Sequence, residues 1–127
     1  MMLEVASVVA KRSTCSRLAV GAVLALDGRI LGTGYNGAPR GLPHCVHVID
    51  ESCTWAVHAE VNVIASAAYN GAASKDATLY VTHAPCVNCS ALLVNAGIGR
   101  VLYGHAYRND EGVTLLRRVG IKVEELA

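Results

Sequence analysis

At 127 residues the chain has the size of one domain, and eleven Lys and Arg against ten Asp and Glu leave a formal net charge of +1. That balance argues against a broad polynucleotide-binding surface, which needs clustered basic residues, but leaves room for a small anionic ligand. A hydrophobic fraction of 53% excludes disorder, yet no unbroken apolar run approaches the ~20 residues of a membrane span.

The expected elements alternate. Leu3 to Arg12, with apolar Leu3, Val5, Ala6, Val8, Val9 and Ala10, predicts a short helix buried on most sides. Ala19 to Leu26 is a continuous apolar run and predicts a strand. Asp27-Gly28 offers a hairpin turn, and Arg29 to Tyr35 predicts the antiparallel partner. Asn36 to Thr54 holds Pro39, Pro43, Gly37 and Gly41 together with two histidines and two cysteines. It predicts a loop longer than the ~12–15 residues that a domain usually leaves unstructured, and therefore one that is functional or pinned.

From His58 to about Tyr69 the pattern is helical, stopped by Asn70-Gly71. Thr78 to Thr82 predicts a strand, Val87 to Asn95 a helix ended by Gly97, and Arg100 to Tyr103 a further strand. Gly112 to Val119 predicts a last helix, and Gly120 to Val123 a fifth strand. The order predicts an α/β fold over residues 1–127: three layers, a five-stranded mixed sheet with helices on both faces.

Five cysteines are an odd number for a disulfide framework. Met1-Met2-Leu3-Glu4 brings an acid early and no basic start, so no signal peptide is expected, and metal binding or redox chemistry is the better reading of the thiols. Two segments carry the chemistry: His58-Ala59-Glu60 and Pro85-Cys86-Val87-Asn88-Cys89. A catalytic zinc takes three protein ligands and leaves a fourth position for water, and His58, Cys86 and Cys89 supply that number. Cys86 and Cys89, three apart at a helix start, reach one ion, and the positive helix end favours their thiolates. His58 and Glu60, two apart, would point about 200° apart in mid-helix, so they serve one site only at the helix's first turn. Glu60 then stays off the metal as the proton shuttle. H-x-E…P-C-x-x-C is the signature of zinc deaminases, which hydrolyse an aromatic amidine-like carbon. A structural zinc knot, or Cys and His scattered in a core, is the plainer alternative.

These residues resemble the cytidine and deoxycytidylate deaminase superfamily, and more closely its deoxycytidylate (dCMP) deaminase branch. The likeness runs from Val20-Gly21-Ala22-Val23 through Gly34-Tyr35-Asn36-Gly37-Ala38-Pro39-Arg40-Gly41 and the two motif segments to Leu115-Leu116-Arg117-Arg118-Val119-Gly120-Ile121-Lys122-Val123. The resemblance implies conversion of dCMP to dUMP and ammonia in deoxynucleotide supply, a Zn2+ cofactor, and a homo-oligomer, hexamer or dimer, regulated by dCTP and dTTP. It also implies a cytoplasmic location, the host's if phage-encoded, without membrane or nucleic-acid partners. For the site it implies Glu60 as catalyst and Asn36, Ala59 and Tyr107 as substrate contacts, Asn36 at the sugar and Tyr107 beside the base. Arg40 and Arg108 are the phosphate candidates, with Lys11 and Arg12 behind them; each reads equally as a solvated charge. An Asn before Gly is also an ordinary turn choice, and Tyr107 would read the same as a half-buried core residue.

Some members of that branch carry a second, structural zinc, and by resemblance Cys15, Cys45, Cys53 and His47 are its ligands here, closed and four-coordinate. Free buried thiols are the rival reading. His83 and His105 read as structural or surface residues. Three other functions compete: a tRNA or nucleic-acid base deaminase, which shares Ala77-Thr78-Leu79-Tyr80-Val81-Thr82 and P-C-x-x-C; a deaminase of another free cytosine nucleoside or nucleotide; and an inactive zinc-stabilised binding protein, against which the intact Glu60 speaks.

Overall fold

Asp27 and Gly28 both adopt positive φ, 51° and 80°, the backbone that a two-residue hairpin turn demands. They join β1 (Gly21–Leu26) to β2 (Arg29–Tyr35) as an antiparallel pair in which Gly21 faces Tyr35 and Leu26 faces Arg29. A computed structural model describes residues 1–13, 18–42, 56–107 and 109–126. Around the hairpin it places α1 (Met2–Ala10), α2 (Ala59–Tyr69), β3 (Thr78–His83), α3 (Val87–Asn95), β4 (Arg100–His105), α4 (Glu111–Arg118) and β5 (Lys122–Glu125).

The five strands form one mixed sheet in the order β2-β1-β3-β4-β5. β1 pairs antiparallel with both β2 and β3, whereas β3, β4 and β5 run parallel. The parallel steps cross over through α3 and α4, as parallel neighbours require. Side-chain alternation assigns the layers. Ala22 and Leu24 of β1 join Leu79, Val81, Val101 and Val123 in a core with Val63 and Ala67 of α2, Leu93 of α3, and Val113 and Leu116 of α4. Gly21, of opposite parity, faces α1, where an added Cβ would lie 2.5 Å from the Ala10 nitrogen. The three-layer α/β fold expected from the sequence is therefore the fold observed, with α1 on one face and α2, α3 and α4 on the other.

Two local expectations need correction. α1 is not buried on most sides: only Ala6 and Ala10 are buried, the small residues that let its backbone approach Gly21, and Val8 is 61% exposed. β5 begins two residues later than expected, because Gly120 N–H donates to the Arg117 carbonyl and Ile121 N–H to the Leu116 carbonyl. Those bonds close α4 and occupy the backbone that a strand would use.

On the α2 face, Gly34 lets the helix lie against the sheet. A Cβ there would stand 2.5 Å from the Val63 nitrogen and 2.6 Å from the Ala59 carbonyl oxygen. The first turn of α2 is thereby pressed onto the end of β2, which sets where His58 and Glu60 stand. Among the described residues, no helix is long and apolar enough to cross a membrane.

Candidate active site

Two helix N-termini converge at the ends of β2 and β3, and the capping residue of each carries metal-binding chemistry. His58 caps α2 with extended backbone (φ −67°, ψ 153°), and Cys86 caps α3 likewise (φ −71°, ψ 171°). This resolves the spacing problem of His58 and Glu60. His58 stands one residue outside the helix, so its ring is released from the helical rotation that would have turned it away from Glu60.

Cys86 Sγ accepts from Cys89 N–H at 3.5 Å, capping the first turn of α3. His58 Nδ1 lies 3.7 Å from Cys86 Sγ and 3.3 Å from Cys89 Sγ. All three ligand atoms fall within 4.8 Å of one another, with His58 exposed, Cys86 half-buried and Cys89 buried. Zn–S bonds of ~2.3 Å and Zn–N bonds of ~2.0 Å in a tetrahedron put sulfur and nitrogen roughly 3.5 Å apart. The donors thus fit zinc both in chemical type and in spacing, and among the described residues they are the cluster of three that does so.

Glu60, the second residue of α2, is only 5% exposed. Burial raises its pKa from the usual 4.5 to about 7, against the opposing pull of its own backbone N–H and of the Cys89 thiol. Cys89 shifts upward too, first by burial and then by the neighbouring Glu60 charge. Burial and the adjacent carboxylate thus oppose the helix end, which favours the thiolate.

The remaining candidates divide. Tyr107 is 45% exposed, yet its hydroxyl is pushed up by partial burial and then by the charges of Glu60, Cys86 and Cys89, which places it at the edge of the cluster rather than in the core. Ala59 is fully buried, at the close approach of α2 to Gly34. Asn36 is tied on every side: its Oδ1 accepts from Val20 N–H at 2.9 Å, its Nδ2 donates to the Leu18 carbonyl at 2.6 Å, and its own carbonyl accepts from the Ser13 hydroxyl at 2.9 Å. Among the described residues, one amide hydrogen and one lone pair of the side chain have no partner.

Arg40 is not brought to this group. Its guanidinium lies 4.5 Å over the ring of Tyr69, the last residue of α2, roughly 16 Å along the helix from His58. Cys15, Cys45, Cys53, His47 and Arg108 lie outside the described residues. His83 and His105 face each other across β3 and β4 with ring centroids 5.0 Å apart, and His83 Nδ1 bonds the Thr82 hydroxyl at 2.8 Å. Asn62 was missed by the sequence reading. Its Nδ2 donates to the carbonyls of Tyr35 at 2.8 Å and Val57 at 3.4 Å, and the only signal was a polar residue between two valines.

Comparison with known proteins fits this geometry. Residues 1–105 match the model of the cytidine and deoxycytidylate deaminase zinc-binding region. The chain is 38% identical over 122 residues to ComE operon protein 2 of Bacillus subtilis (strain 168), with 92% of this chain aligned to 65% of that protein. It is 42% identical over 117 residues to the deoxycytidylate deaminase of Mycobacterium phage D29, with 80% of this chain aligned to 89% of that one. The chain therefore spans a little less than two thirds of the first relative and most of the second. Among solved structures, the dCMP deaminase of cyanophage S-TIM5 in complex with dCMP and dUMP superposes with a TM-score of 0.93 at 32% identity. That match covers 98% of this chain and 93% of that one.

Proposed function

Because the chain belongs to the cytidine and deoxycytidylate deaminase family, we propose that it deaminates a cytosine nucleotide hydrolytically, with dCMP as substrate and dUMP and ammonia as products. The observation that carries this reading is the convergence of His58, Cys86 and Cys89 within 4.8 Å beside a buried Glu60. The three residues would hold a zinc ion, whose chemistry when bound would be to acidify a water into a nucleophile at neutral pH.

The chain's own residues do the rest. Water adds at C4 of the base, the C4–N4 bond breaks, and the amine leaves as ammonia. Glu60 takes one proton of the attacking water and delivers it to the ring nitrogen; it then takes the remaining proton from the hydroxyl now on C4 and gives it to the departing amine as the C4 carbonyl forms. Burial raises its proton affinity toward neutrality, where a group that must both accept and donate works best. Tyr107 flanks the base at the open edge of the cluster. Asn36 offers its remaining amide hydrogen and lone pair to the sugar, with the rest of the side chain immobilised by Leu18 and Val20.

For the phosphate, the end of α1 is better placed than Arg40. Lys11 and Arg12 are exposed and directly precede Ser13, whose hydroxyl bonds Asn36, whereas Arg40 is stacked on Tyr69. Homo-oligomerisation belongs to the same reading. Glu60 is the one charged residue of α2, and it is buried, while Val61 and Tyr69 remain 36% and 74% exposed, the kind of surface that subunit contacts cover.

Incubation of the zinc-loaded chain with dCMP, deoxycytidine, dCTP and tRNA, followed by ammonia release, tests the assignment. Turnover of dCMP in preference to the others is expected, and turnover of tRNA alone overturns it. Adding dCTP or dTTP to the dCMP assay tests regulation.

A further inference from the structure

The loop that leaves β2 returns at Val57, where Gly37 N–H donates to the Val57 carbonyl at 3.1 Å and Val57 N–H to the Gly37 carbonyl at 2.8 Å. These two bonds form one rung of an antiparallel ladder on the outer edge of β2. The next hydrogen-bonded rung would join residues 35 and 59, because such pairs recur every second residue. Ala59 has already entered α2 and cannot extend to meet Tyr35. The Nδ2 of Asn62, one turn into the helix, takes that place, donating to the Tyr35 carbonyl at 2.8 Å while also reaching the Val57 carbonyl at 3.4 Å. The chain can therefore change from strand pairing to helix within one residue, and that residue is His58.

Asn62 thus touches both sides of the site without reaching the reacting atoms. Tyr35 immediately precedes Asn36, and Val57 immediately precedes His58. Each neighbour is also held from elsewhere: Asn36 by Ser13, Leu18 and Val20, and His58 at the cysteine sulfurs. Beside the Gly37–Val57 backbone rung, the amide of Asn62 is, among the described residues, the side chain that ties these two assemblies together. We propose that Asn62 is a positioning residue for the deamination, its Nδ2 fixing the Asn36 corner relative to the His58 ligand.

The inference rests on the deaminase reading for its kinetic consequence and on the hydrogen bonds alone for its structural one. Asn62→Asp keeps the size of the side chain but removes the donor and sets a negative oxygen against two carbonyls; Asn62→Ala removes the group altogether. In the zinc-loaded full chain, both variants should keep the zinc content of the wild type. The amides of Gly37 and Val57 should exchange with solvent about tenfold faster, while those of Val23 and Leu24 in the central sheet keep their protection. KM for dCMP should rise about tenfold and kcat change less than about threefold, because Glu60 and the metal ligands stay in place while the nucleotide corner drifts. Unchanged exchange at Gly37 and Val57, exchange accelerated equally throughout the sheet, loss of zinc, or a fall confined to kcat would each overturn the proposal. A wild-type chain inactive on dCMP would sink the substrate assignment instead, and the exchange rates would still decide the role of Asn62.

Discussion

Stripping the metal with a chelator should expose a pH dependence of stability that belongs to Glu60. Its carboxyl is 5% exposed, and burial moves its pKa from the usual 4.5 to about 7 in the folded chain. A folded-state value above the unfolded one means that the folded chain binds this proton more tightly. The stabilisation is therefore complete below about pH 4.5 and is lost as the pH rises through about 7. Some two and a half decades of proton affinity at ~1.4 kcal/mol each give roughly 3–4 kcal/mol in all, most of which falls between roughly pH 5 and pH 8. Urea unfolding of the metal-free wild type and of Glu60→Gln across that window isolates the effect, since the amide is nearly isosteric and neutral throughout and every other titrating group is common to both. The wild type should lose stability relative to the variant as the pH rises. If the two curves run parallel to within about 0.5 kcal/mol, Glu60 is ionised and solvated in the metal-free chain, and the argument from its burial fails.

Four further outcomes are expected. Zinc-loaded Glu60→Gln should keep its metal by elemental analysis yet lose at least ~10²-fold in turnover of dCMP, since the residue moves protons and does not ligate. Zinc uptake near neutral pH should release the proton of Cys89, whose pKa burial and Glu60 raise; calorimetry in buffers of different ionisation heat would show this, and a heat independent of buffer would contradict it. Gly112→Ala should destabilise the chain by about 1–3 kcal/mol in urea, because its Cβ would lie 2.8 Å from both the Cys86 carbonyl carbon and the Ser90 hydroxyl, with the Pro85 carbonyl closer still. Two zinc equivalents per chain, falling to one in Cys15→Ser, would establish the second site proposed at Cys15, Cys45, Cys53 and His47; one equivalent, with Cys15→Ser fully stable, would remove it.

What the sequence reveals and what it hides follow from the range of the interactions. The hairpin at Asp27-Gly28, the stop of α3 near Gly97 and the capping geometry of Cys86-Val87-Asn88-Cys89 are settled within a few residues, so local patterns show them. The extent of burial of α1 is not local. Its apolar residues resemble a core helix, but which of them are covered depends on Gly21 lying beneath Ala6 and Ala10. Arg40 shows the same limit: its place in the Asn36–Arg40 segment suggests a phosphate contact, and only the return of the chain along α2 brings it to Tyr69.

The active-site residues sit between these cases. His58 is separated from Cys86 and Cys89 by 28 and 31 positions, yet both segments are legible because each carries its chemistry at a helix start, where a capping residue has extended backbone and a side chain free to leave the helix surface. Placing ligands at caps has a structural cost, since the first-turn N–H groups of α2 receive no side-chain cap from His58. The junction must then be secured by residues that do no chemistry. Asn62 does this from within the helix and Gly34 from beneath it, one by a hydrogen bond to the strand edge and the other by allowing the backbones of β2 and α2 to touch. An asparagine between valines and a glycine in a strand look unremarkable singly. They acquire meaning only through the requirement that His58 leave its helix while staying within 3.7 Å of two sulfurs.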